Sequence, residues 1–310
     1  MQAIYRSLFR IRRLEEEIIR IYPSDKVKSP VHLSIGQEAV SVGVCESLRP
    51  EDVVFGTYRG HALYLAKGGN LNAMMAELFG KQGGSSSGKA GSMHLADFPA
   101  GMMGTSAIVA TNMPLAVGYA MAAKMRRRDS IVVVFFGEGA MDEGVFHESV
   151  NFASLKKLPI LFVCENNLYA IYSHVQERMP EVNLCTRVES YNIPAERVEN
   201  GDIFAIIERS KAAIGDIRAG GGPRFLECET YRWRDHVGPD EDRIWKYRPD
   251  AELDGWIAGD EVARIGAMLD DDVRKGVEVE VEAEIAEAIE FAENSPFPAD
   301  LEINNHVFSE

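Results

Sequence analysis

Two short stretches place oxygen donors where they can do chemistry. "FFGEGAMDEG" sets Glu138 between Gly137 and Gly139, directly after the apolar run 131–136. "FVCENNLYA" sets Asn167 and Tyr169 just past a second apolar run, 160–163, with Glu138 and Asn167 standing 29 positions apart. A carboxylate, an amide oxygen and a backbone carbonyl near Tyr169 are hard donors. They are too few to cage Ca2+, but they suit Mg2+, which completes its shell with phosphate oxygens and water. Gly137 and Gly139 carry no Cβ, so a diphosphate can approach the backbone there. The helix that follows can aim its first N–H groups at the phosphates. On spacing alone, two unrelated surface turns explain these residues as simply, and the rest of the chain has to decide.

For the donors to meet, two strands must end side by side. The runs 131–136 and 159–164 read as strands separated by a helix over 143–157, and further strands alternate with helices along the chain. This pattern predicts an α/β fold, a mainly parallel sheet with helices on both faces. In such a sheet ligands sit at the carboxyl ends of the strands, and right-handed crossovers bring consecutive strands together. Helices are expected over 1–22, 34–48 (with Ser34 as N-cap), 59–67, 71–79, 112–127, 202–219, 259–270 and 280–294. Strands are expected within 50–58, 186–200 and 224–231, and a long polar loop over 232–260. "GKQGGSSSGKAGSMH", residues 80–94, is a loop, either a functional segment or a plain connector. The 310 residues read as one domain with helical N-terminal (1–22) and C-terminal (259–310) extensions.

Composition narrows the function. The chain is 46% hydrophobic and 26% charged, as expected of a globular protein. Its 48 acidic and 33 basic residues give a net charge of −15, which argues against nucleic acid as a partner because phosphate backbones need basic surface. An anionic small molecule stays open, since a few local charges decide its binding. The first 22 residues carry Ile4, Leu8, Ile11, Leu14 and Ile18 at helical spacing among charges, an amphipathic helix and not a signal peptide. No run approaches the roughly 20 apolar residues of a membrane helix. Cys45, Cys164, Cys185 and Cys228 form no CxxC pair or zinc spacing and read as free thiols in a reducing cytoplasm.

Gly137-Glu138-Gly139 through Asn166-Asn167 resembles the thiamine-diphosphate motif, usually GDG…NN. The surrounding sequence resembles, more specifically, the alpha subunit of the first, decarboxylating component of 2-oxo-acid dehydrogenase complexes, a group that includes pyruvate, branched-chain and acetoin dehydrogenases. The resemblance covers nearly the whole chain, through "HLSIGQEA" (32–39), "YRGH" (58–61), "GKAGSMH" (88–94), "IVATNMPLAVG" (108–118), "CENNLYA" (164–170) and "ETYRW…H" (229–236). Glu138 stands where Asp is commonest, as it does in branched-chain-type members.

The resemblance implies the thiamine-diphosphate-binding fold and roles for individual residues. Glu138, Asn167 and the Tyr169 carbonyl would hold Mg2+. Tyr58 and Arg59 would hold the diphosphate, which suits a phenol and a guanidinium fork, with Gly139 and Ala140 beside it. Ala107 and Val109 would offer backbone contacts to the aminopyrimidine region. His32 would face the 2-oxo-acid substrate and His236 the reactive carbon, and imidazole suits both tasks near neutral pH. His61 and His94 are further candidates for the pocket wall. At the potassium site of branched-chain-type members, Ser106 and Thr111 match loosely, Asn112 replaces Gln and Ile108 replaces Pro. Val237 stands where mitochondrial members carry a phosphorylated serine. No Ser or Thr lies between Tyr231 and Asp260, so phosphorylation control of this loop is not expected.

The implied activity is decarboxylation of a 2-oxo acid and transfer of the acyl unit to a lipoyl group on an acyltransferase. In this family the glutamate that activates the cofactor belongs to a beta subunit, so an α2β2 heterotetramer is expected and the chain alone should be inactive. The two terminal helices are candidates for subunit contacts, or plain packed helices. Two other readings stand beside this one: a thiamine-diphosphate-dependent carboligase or decarboxylase subunit without a lipoyl partner, and a non-catalytic regulatory paralogue.

Overall fold

The structure, a computed structural model, describes residues 1–180 and 183–305. Six strands form one all-parallel sheet: β1 (Val53–Phe55), β2 (Met102–Gly104), β3 (Val132–Gly137), β4 (Ile160–Asn166), β7 (Ala195–Val198) and β8 (Arg224–Glu229), in the order β2-β1-β3-β4-β8-β7. Between β4 and β7 the chain makes a small antiparallel pair, β5 (Tyr169–Ala170) and β6 (Ser173–His174). The sequence of β3 and β4 explains their place in the middle. "VVVFF" and "ILFVC" are continuous apolar runs, as strands covered on both faces require. Alternate residues enter two separate cores. Val133, Phe135, Leu161 and Val163 pack into one, and Val132, Val134, Ile160 and Phe162 into the other.

Helices cover each face. On one lie α1 (Gln2–Ile21), α2 (Glu38–Cys45), α3 (His61–Ala66) and α4 (Leu71–Leu78). On the other lie α5 (Asn112–Met125), α6 (Gly144–Lys156) and the short α7 (Val175–Arg178) and α8 (Leu184–Glu189). The first face is completed by α9 (Ile203–Arg218), α11 (Glu261–Gly266) and α12 (Asp271–Asn294), while α10 (Asp250–Ala258) packs Leu253 beside Tyr169 and Tyr231. The N-terminal helix is part of the core. Leu8, Ile11, Leu14 and Ile18 are fully buried, and Arg6 and Arg13 pair with Glu284 and Glu282 of α12.

Several boundaries differ from the sequence expectation for local reasons. Ser34 does not cap α2. Its N–H donates to Glu15 (2.8 Å), its carbonyl accepts from Gln37, and the helix starts at Glu38. The helix after the GEG turn starts at Gly144, because residues Glu138–Asp142 form a 3-10 turn first. The expected loop over 232–260 contains a 3-10 turn (Asp242–Trp245) and α10. Asp260 and Asp270 each cap a new helix, which splits the tail into α11 and a much longer α12.

The Gly/Ser loop 80–94 is held from inside. The buried carboxylate of Glu77 accepts N–H groups from Ser86, Gly88, Ala90 and Gly91 at 2.7–3.0 Å. Glu77→Ala strands these donors, and a loss of about 3 kcal/mol is expected. Chemical denaturation should show it, together with faster proteolytic cutting within 80–94; an unchanged midpoint would contradict the assignment.

Candidate active site

Parallel register brings the two opening stretches together. Gly137 pairs with Glu165 across β3 and β4, so Glu138 and Asn167 leave adjacent strand ends. The other candidates follow the carboxyl ends of neighbouring strands: Tyr58 and Arg59 after β1, Ala107 and Val109 after β2, His236 after β8. Strand order reverses direction between β1 and β3, the switch point where an open parallel sheet leaves a crevice. There a cavity of about 440 Å3 opens, within the range of small-ligand sites. The eleven residues given cofactor, metal or catalytic roles line it: His32, Tyr58, Arg59, Ala107, Val109, Glu138, Gly139, Ala140, Asn167, Tyr169 and His236.

The donor set fits a metal and a diphosphate. Glu138 is 1% exposed. Burial raises its carboxyl pKa, and the Arg178 guanidinium 2.6 Å away opposes the rise. Pleat alternation separates the two asparagines. Asn166 turns away to Glu227 (2.8 Å), while Asn167 lines the cavity with its amide fixed by Gln37 (3.1 Å) and the Tyr169 N–H (3.2 Å). A Cβ on Gly137 would meet only the Glu165 carbonyl, at 4.0 Å. Its missing side chain therefore leaves open space at the cavity wall that a ligand can use. At Gly139 the reason is packing, since a Cβ would lie 2.8 Å from that of Ala170.

Other lining residues are cationic and aromatic. Arg59 donates to the Leu33 carbonyl (2.7 Å) and the His236 carbonyl (3.2 Å). Burial, then the charge of Arg232, pulls its pKa down to about 10, and both arginines line the cavity. A buried guanidinium (Arg232) and a half-buried one (Arg59) in one pocket suit an anion. His32 packs tilted against Tyr58 (4.4 Å between centroids) and edge-on to His236 (5.3 Å). Burial and the nearby Arg59 charge hold both imidazoles neutral, with pKa values lowered to about 3. The unfolded chain takes up these protons near pH 6.5 and the folded chain does not. Stability is therefore complete above about pH 6.5 and falls as pH drops toward 3. A melting series should show this acid limb flattened in a His32→Gln/His236→Gln variant; an identical limb would contradict it.

The loop bearing His236 is organised from within. Asp242 pairs with Arg232 (3.6 Å) and Arg248 (2.5 Å), and Arg232 also donates to the Ile171 carbonyl. Asp235 accepts from the His236 N–H, Trp245 Nε1 and the Tyr172 hydroxyl.

Other histidines fall elsewhere. His61 is fully buried between Glu15 (3.1 Å) and Ser92 (2.8 Å) and does not line the cavity, and His94 is exposed outside it. At the loosely matching potassium position, Asn112 donates to the Gly56 (2.5 Å) and Gly104 (3.2 Å) carbonyls. Sequence reasoning gave no role to Gln37, Glu165, Arg178 and Arg232. Gln37, Glu165 and Arg232 lie within the motifs that carry the resemblance. Glu165 lines the cavity beside Arg59, and burial pushes its carboxyl up to about 7. Arg178 lies 40 positions from Glu138 and has no local signal.

An all-parallel sheet with donors, arginines and imidazoles converging at its switch point defines an α/β enzyme built around an anionic ligand. Residues 6–300 match the family model described as "Dehydrogenase E1 component". The chain is 36% identical over 309 residues to the alpha subunit of acetoin:2,6-dichlorophenolindophenol oxidoreductase from Bacillus subtilis, covering 98% of this chain and 92% of that one. It is 35% identical to the chloroplastic pyruvate dehydrogenase E1 component subunit alpha-3 of Arabidopsis thaliana (99% and 74% covered). It is also 35% identical to the pyruvate dehydrogenase E1 alpha subunit of Rhizobium meliloti (95% and 86%). The chain therefore belongs to the dehydrogenase E1 component family, the thiamine-diphosphate-dependent first components of 2-oxo-acid dehydrogenases, and it is an alpha-type chain.

Proposed function

We propose that this chain is the alpha half of a thiamine-diphosphate- and Mg2+-dependent dehydrogenase that decarboxylates a 2-oxo acid, or cleaves the related acyloin, and passes the acyl unit to a lipoyl carrier. The observation that carries the reading is the one cavity lined together by both strand-end donors, both arginines and both imidazoles. Glu138, Asn167 and the Tyr169 carbonyl would hold Mg2+. Tyr58 and Arg59 would hold the diphosphate, with the backbone at Gly139 and Ala140 beside it, and Ala107 and Val109 would offer backbone atoms to the aminopyrimidine. The cofactor, when bound, supplies an electron sink for the carbanion left by decarboxylation. His32, kept neutral, donates to the substrate carboxylate, and His236 moves a proton at the reacting carbon.

A beta subunit completes the site in an α2β2 assembly, with a lipoyl-bearing acyltransferase as acceptor. Names of relatives as "subunit alpha" support a partner subunit. Among the described residues no helix is long and apolar enough to cross a membrane, and the four cysteines are free thiols, which supports a reducing cytoplasm. No observation favours a lipoyl-independent carboligase or a non-catalytic paralogue. Co-expression with the beta subunit, then a screen of pyruvate, branched 2-oxo acids and acetoin, tests the proposal. Turnover is expected only when both subunits are present; turnover by this chain alone would overturn it.

A further inference from the structure

We propose that Arg178 is a positioning residue for the metal carboxylate, fixing Glu138 in the one arrangement that can take Mg2+. The inference rests on the reading of Glu138 as a metal ligand.

The two residues divide their places cleanly. Glu138 lines the cavity and Arg178 does not, so the guanidinium stands behind the carboxylate. Arg178 Nη2 donates to Glu138 Oε1 at 2.6 Å, and Nη1 pairs with Asp142 at the other end of the same 3-10 turn. One planar fork thereby joins both acids of that turn. The arginine is itself anchored. It ends α7, whose Val175 and the following Met179 are buried in the core on the α5–α6 face.

The chemistry explains why such a clamp is needed here. A glutamate has one more rotatable bond than an aspartate, so its oxygens sample more positions and lose more freedom on fixing. A guanidinium on one oxygen selects a rotamer and a carboxylate plane before any cation arrives. Asp142 shares the guanidinium with Glu138, so the fork is braced from both ends of the turn and holds the metal carboxylate through one oxygen only. Partners behind a metal ligand typically contribute about 10–100-fold in metal affinity.

The test uses the complex of this chain with its beta subunit, saturated with thiamine diphosphate and titrated calorimetrically with MgCl2. Arg178→Gln should weaken Mg2+ binding by about 10–100-fold, with turnover recovering to within a few-fold at saturating Mg2+. Arg178→Lys keeps the charge without the fork and should fall in between. It also serves if the glutamine variant does not fold. In a Glu138→Asp background the shorter side chain cannot reach the clamp, and Arg178→Gln should then change Mg2+ affinity little. Unchanged or tighter Mg2+ binding in Arg178→Gln overturns the proposal, as does an equal loss in both backgrounds. Failure of the underlying metal reading looks different: Glu138→Ala would then leave Mg2+ affinity intact.

Discussion

Replacing Glu138 by alanine is expected to abolish Mg2+-dependent binding of thiamine diphosphate and leave the chain folded. Of the three oxygen donors at the strand ends, Glu138 alone is an acid that can present a charged oxygen to a cation, and a hard divalent cation depends on it most. The affinity loss should be on the order of 100-fold or more, at least the upper end of what partners behind a ligand contribute. Stability should change by only about 1 kcal/mol. The carboxylate is buried with its charged form disfavoured, so its removal relieves a desolvation cost. Arg178 is not stranded either, because it keeps Asp142. Calorimetry on the complex with the beta subunit measures the first effect and a thermal melt the second. Unchanged cofactor affinity would refute the metal assignment.

His236→Ala should act on rate instead of affinity. The imidazole lines the cavity in edge contact with His32 and Tyr58, where it can move a proton, and loss of such a group typically costs about 10²–10⁴ in turnover. The grip on the diphosphate should survive. Arg59 is oriented by the backbone carbonyls of Leu33 and His236, and alanine keeps the second of these. Single-turnover kinetics and a cofactor titration separate the outcomes. A variant with normal turnover and weakened cofactor binding would move His236 from chemistry to binding.

The residues differ in how plainly the sequence displayed their neighbours. Glu138 and Asn167 were legible because strand ends are local: an apolar run, a glycine and a polar residue locate each end, and parallel register makes the ends adjacent. The histidines gained meaning only from the resemblance, since nothing local separates His236, in the cavity, from His61, locked between Glu15 and Ser92. Arg178 was invisible for a related reason. An ion pair between residues 40 positions apart is decided by how α7 packs, not by any period in the chain. Helix ends depart from the sequence expectation where one capping side chain decides them, as at Asp260 and Asp270. The helix α10 was hidden in polar, glycine-containing sequence whose apolar side, Leu253 and Trp256, packs on Tyr231 only in the folded chain.

The most direct test is a titration of thiamine diphosphate into the complex of this chain with its beta subunit, with and without Mg2+. Saturable binding is predicted with Mg2+, with a large loss of affinity when the metal is chelated. Binding of equal strength with and without Mg2+, or none under either condition, would contradict a metal–diphosphate site at the ends of β3 and β4.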